Sequence, residues 1–114
     1  MSAITTHVLD LSTGKPASGV PVTLAIRQSE QDWKILGRGT TDADGRLKTL
    51  LPEGSRLEAG TYRLRFDLAA YFRAKSTESF YPEASVVFTV RDPSQNYHVP
   101  LLLSPHGYTT YRGS

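Results

Sequence analysis

Tyr97-His98-Val99-Pro100-Leu101-Leu102-Leu103 is the stretch on which the fold turns. In a strand, successive side chains face opposite sides, so Tyr97, Val99, Leu101 and Leu103 form one set and His98, Pro100 and Leu102 the other. The first set reads as a core face, which turns His98 outward. Pro100 has no N–H to give a ladder, and a bulge or an unpaired position is expected there. The segment Ile4 to Leu11 divides in the same manner, with Thr6 and Val8 on one face and Thr5, His7, Leu9 and Leu11 on the other.

Outward from these two, similar β-branched and aromatic runs recur at Val20 to Gln28, Trp33 to Thr41, Leu47 to Leu50, Thr61 to Leu68, Ser85 to Arg91 and Tyr108 to Arg112. Clusters of Gly, Pro, Asp and Ser separate them, the pattern of an all-β sandwich rather than of βαβ units. Gln28 to Asp32 makes a polar hairpin loop, and Asp44-Gly45 supplies the positive φ of a tight turn. The spacing of Leu68, Tyr71, Phe72 and Lys75 predicts one short helix over Ala69 to Lys75. The expected architecture is a single domain spanning residues 1–114, a two-sheet β-sandwich of about eight strands.

Composition narrows the function. With 114 residues, 39% hydrophobic and 21% charged, the chain suits one globular domain and has no apolar run long enough to span a bilayer. Thirteen Lys and Arg face eleven Asp and Glu without a basic run, a poor match to a nucleic-acid partner. The absence of cysteine removes thiolate nucleophiles, disulfides and thiolate metal sites together. The N-terminus lacks the basic and apolar regions of a secretory signal and the C-terminus is not a Ser-Lys-Leu address, so a cytoplasmic location is expected.

Three blocks carry a family resemblance: Thr6-His7-Val8-Leu9-Asp10 followed by Gly14-Lys15-Pro16-Ala17, Thr40-Thr41-Asp42-Ala43-Asp44-Gly45-Arg46, and Tyr97 to Pro105 with the terminal Tyr111-Arg112-Gly113-Ser114. With the stretch from Tyr71-Phe72 to Phe88-Thr89-Val90, they span nearly the whole chain, which resembles the transthyretin-like family. Within that family the chain looks like the 5-hydroxyisourate hydrolases rather than the hormone carriers, in which other residues stand at the positions of His7, Arg46 and His98. The resemblance implies a homotetramer built as a dimer of dimers, with active sites between dimers. It also implies 5-hydroxyisourate as substrate and no metal or organic cofactor.

Opening a cyclic amide with water needs a base, a cation or donor where charge develops on oxygen, and groups that fix a planar ring. His7 and His98 suit water activation, since imidazole exchanges protons near neutral pH, and either could be the base. Arg46 offers a permanently charged, planar fork of donors to a carbonyl oxygen or ureide edge. Tyr111 could pack on the substrate or donate its hydroxyl, and the Ser114 carboxylate could orient a histidine. His7, Arg46 and His98 are therefore the expected catalytic residues; His7, Arg46, Tyr111 and Ser114 are the expected substrate contacts.

Plainer readings compete with each of these. A lone strand histidine is more often structural, and an arginine after Asp-Gly is more often a solvated turn residue. His106, between Pro105 and Gly107, reads only as a turn residue. A zinc site lacks a third ligand at metal-like spacing. No Gly-x-Ser-x-Gly elbow supports a serine nucleophile, and Tyr62, Phe66, Phe88 and Tyr97 read as core or interface aromatics. Two rivals remain from other classes: a transthyretin-like carrier of a small apolar ligand, and an adhesive or regulatory sandwich module with no site.

Overall fold

The computed structural model describes residues 3–113. In chain order its elements are β1 (Ile4–Asp10), β2 (Lys15–Pro16), β3 (Pro21–Arg27), β4 (Trp33–Thr40), β5 (Arg46–Leu47), β6 (Gly60–Asp67), α1 (Leu68–Arg73), β7 (Glu83–Val90), β8 (Tyr97–Ser104) and β9 (Gly107–Thr110). One sheet runs β2-β1-β8-β9 with β5 also on β1; the other runs β4-β3-β6-β7. The expected sandwich is there, with nine strands among the described residues because Lys15–Pro16 forms a two-residue strand against Leu9 and Asp10.

β1 and β8 pair in parallel, in unbroken register from Ile4 opposite Tyr97 to Asp10 opposite Leu103. Their inward residues, Ile4 and Val8 with Tyr97, Val99, Leu101 and Leu103, pack against Val22, Leu24, Leu64 and Phe66 of the other sheet, so two alternating faces close on one core. Tyr62, Phe66 and Tyr97 are buried in it and Phe88 lies against it. The sequence parity of β1 and β8 is thus realised, and Thr5, His7, Leu9, His98 and Leu102 are left on the outer face, half-buried.

β8 contains no bulge at Pro100, which sits opposite His7. The missing N–H is felt on the other side, where β9 continues the register Leu101–Thr110 but stops before Tyr111, the residue that would face Pro100. Thr110 Oγ1 instead donates to the Pro100 carbonyl at 2.7 Å. The strand expected to run to Arg112 therefore ends at Thr110, and one bridge, His98 with Gly113, resumes the line beyond the gap.

The piece expected at Leu47 to Leu50 is the two-residue β5. After Leu47 the chain turns inward and buries Leu50 completely, its carbonyl so near Gly37 that a side chain there would collide with it. The helix is Leu68–Arg73 rather than Ala69 to Lys75; it starts one residue early because the Asp67 side chain accepts from Ala70 N–H and caps it, and it ends two residues early. Tyr71 on this helix donates its hydroxyl to the buried Asp10 carboxylate at 2.7 Å, tying α1 to the end of β1. Burial alone would raise the Asp10 pKa; hydrogen bonds from Ser12 and Tyr71, with the charge of Lys75, outweigh it and hold the carboxyl below its usual value.

Candidate active site

Three strands carry the three expected catalytic residues to one open face. Arg46 in β5 lies directly opposite His7 in β1, and His98 in β8 lies opposite Thr5, two residues along β1 from His7. Opposite residues share a face about 5 Å apart and diagonal ones about 7–8 Å. The face is built at the turn before β5. The Asp42 carboxylate accepts from the N–H groups of Asp44 and Arg46, both at 2.9 Å, and Gly45 turns the chain at φ 75. Val8 N–H then donates to the Gly45 carbonyl at 2.7 Å, which fixes the turn on β1 and sets Arg46 beside His7.

Each imidazole is held through one nitrogen. His7 Nε2 lies 3.0 Å from the carbonyl oxygen of Asp44. A carbonyl only accepts, so Nε2 carries a proton, and in the neutral ring the lone pair is on Nδ1. His98 Nδ1 lies 2.8 Å from Thr5 Oγ1. Burial first, then the charge of Arg46 and the proximity of His7, lower the His98 pKa below the ordinary histidine value. Across the ring Gly113 N–H donates to the His98 carbonyl at 2.8 Å, and a Cβ at Gly113 would stand 2.6 Å from His98 Cδ2. Only glycine lets the C-terminal segment lie this close to the imidazole.

Tyr111 lies apart from the three. Tyr111 is 57% exposed and lines a groove of about 230 Å³ with Val87, Phe88, Tyr97 and Val99 at the β7/β9 edge. Within one chain its link to the imidazoles runs along the backbone to Gly113. Ser114 lies outside the described residues. His106 is exposed in the β8–β9 turn. Sequence reasoning missed Thr5, Gly113 and the Asp44 carbonyl. Thr5 was legible as a face-mate of His7, but the register that sets it against His98 was not. Among the described residues no three His, Cys, Asp or Glu are grouped to hold a metal ion, and no helix is long and apolar enough to cross a membrane.

A sequence model of the HIUase/Transthyretin family matches residues 4–113, nearly everything the structure describes. The chain belongs to the HIUase/Transthyretin family. The 5-hydroxyisourate hydrolase of Mus musculus is 47% identical, covering 99% of this chain and 96% of its own length. Among solved structures, the Klebsiella pneumoniae 5-hydroxyisourate hydrolase superposes with TM-score 0.86 at 37% identity and full coverage of both chains. Sea bream transthyretin in complex with thyroxine reaches TM-score 0.89 at 32% identity, covering 97% of this chain and 94% of its own. Backbone shape does not separate the two branches of the HIUase/Transthyretin family. Identity favours the hydrolases, and so does a face bearing two histidines and an arginine.

Proposed function

We propose that this chain hydrolyses 5-hydroxyisourate, opening its six-membered cyclic amide ring to give 2-oxo-4-hydroxy-4-carboxy-5-ureidoimidazoline. The observation that carries the reading is the convergence of His7, Arg46 and His98 from three strands onto one outer face. His98 serves as the base in this reading, since burial and the charge of Arg46 keep it neutral and free to take a proton. Water gives that proton to His98 while its oxygen bonds to the amide carbon. The carbonyl oxygen takes the negative charge and the Arg46 guanidinium stabilises it. As the C–N bond breaks, the imidazolium returns the proton to the leaving nitrogen, so one water is consumed and nothing is oxidised or reduced. His7, with Nε2–H committed to Asp44, presents the Nδ1 lone pair to a ring N–H and orients the substrate. Ser114 completes the substrate-binding set in this reading, whereas Tyr111, on the β7/β9 edge, stands outside that face within one chain.

The same reading takes the working unit to be a homotetramer, a dimer of dimers. Supporting it, the site face is open in a single chain, with Arg46 exposed and both imidazoles half-buried. Phe80, Tyr81, Val87, Tyr108 and Tyr111 are all exposed along the β7/β9 side, an apolar edge that a second copy would cover. The test of function is to generate 5-hydroxyisourate in situ from urate and follow its ultraviolet decay. Added protein should speed the decay over buffer; an unchanged decay with stoichiometric binding of an apolar ligand would support the carrier instead.

A further inference from the structure

We infer that Thr5 is a positioning residue for His98, its hydroxyl accepting from Nδ1–H so that the Nε2 lone pair is turned toward the substrate. The inference rests on the hydrolase reading for its kinetic consequence but not for its geometry. In imidazole, Nδ1 and Cδ2 flank the carbon that joins the ring to the chain, and Cε1 and Nε2 form the far edge. Thr5 Oγ1 lies 2.8 Å from Nδ1 on one flank, and Gly113 lies against Cδ2 on the other. The ring is held on both sides, and neither contact involves the Cε1–Nε2 edge.

The neighbouring threonine shows that this contact is more than a polar residue in a strand. Thr6 is buried and spends its hydroxyl on the Val99 carbonyl at 2.6 Å, a bond that joins β1 to β8. Thr5 faces the other way, and its hydroxyl is spent on the imidazole. A threonine hydroxyl can donate or accept, and the direction inferred is the one in which it accepts and leaves Nε2 bare. A base that takes a proton at Nε2 needs hydrogen on Nδ1 before and after the transfer, and an accepting hydroxyl serves both states without moving. It does so without adding the negative charge that a carboxylate partner would bring beside Arg46. Threonine also suits the post because its branched Cβ restricts χ1 on a strand.

The experiment compares wild type with Thr5→Val, which keeps the branched shape and removes the hydroxyl, and Thr5→Ser, which keeps the hydroxyl. Nitrogen-15 NMR of the histidine rings, with His98 assigned by its absence in His98→Gln, reads the tautomer without substrate. Wild type and Thr5→Ser should show Nδ1 protonated and Nε2 bare; Thr5→Val should show a mixture of tautomers. In the urate-coupled assay Thr5→Val should lose roughly tenfold to a hundredfold in kcat with KM little changed, the scale seen when the hydrogen-bond partner that orients a metal-bound histidine is removed, and Thr5→Ser should recover most of it. Thermal melting checks that all three chains fold alike. A wild-type His98 protonated at Nε2, or a Thr5→Val chain with unchanged tautomer and kcat, would overturn the inference. Failure of wild type to hydrolyse 5-hydroxyisourate would overturn the proposed function instead, leaving the NMR result to decide the role of Thr5.

Discussion

His98 stands where burial, Arg46 and His7 all oppose its protonation. A base must be neutral to accept a proton, so the rate should fall on the acid side as this imidazole gains charge. The midpoint should lie below the ordinary histidine value of 6.5. Arg46→Gln removes one of the opposing charges, so the midpoint of His98 should move up, as read by NMR titration and in the residual rate. A profile flat from pH 5 to 8 on fresh substrate would contradict base catalysis by histidine. At this scale it was the family resemblance that singled out His7, Arg46 and His98; strand parity by itself turned His98 outward and left Arg46 a turn residue. The Thr5–His98 contact joins residues 93 positions apart and depends on a parallel register that no local pattern records.

The elements locate the site through a few backbone positions. Gly45 combines φ 75 with a packing so close that any Cβ would collide with the Val8 carbonyl. Gly45→Ala should destabilise the chain by about 2 kcal/mol or more and lower activity out of proportion, since Arg46 follows immediately; urea unfolding alongside the decay assay checks both. Tyr71→Phe leaves the buried Asp10 carboxylate short of one donor and should cost about 1–3 kcal/mol, with the site face intact and kcat little changed. Strand positions were legible from alternation, while their ends were set by contacts elsewhere. β9 stops where Pro100 offers no donor, and β5 stops where Leu50 turns into the core. The two-residue β2 exists only because Leu9 and Asp10 are there to pair with it.

Seen whole, the molecule buries one face of each sheet and leaves apolar side chains along one edge, with Phe80 72% and Val87 52% exposed. On the proposed dimer-of-dimers reading, in which a second copy covers this edge, sedimentation should give a tetramer. Val87→Glu should yield a smaller species and, if the site needs a neighbouring chain, reduced turnover; a fully active monomer would contradict the interfacial reading. That the chain is an all-β sandwich was legible from its alternating runs and turn residues, whereas the parallel β1–β8 pairing that gathers the site had no signature of its own. The most direct test is the initial rate of 5-hydroxyisourate decay for His98→Gln beside His106→Ala, each folded as wild type. His98→Gln should lose about a hundredfold or more and His106→Ala should stay near wild type. Equal loss in both, or near-wild-type activity in His98→Gln, would contradict a catalytic site on the face where Arg46, His7 and His98 meet.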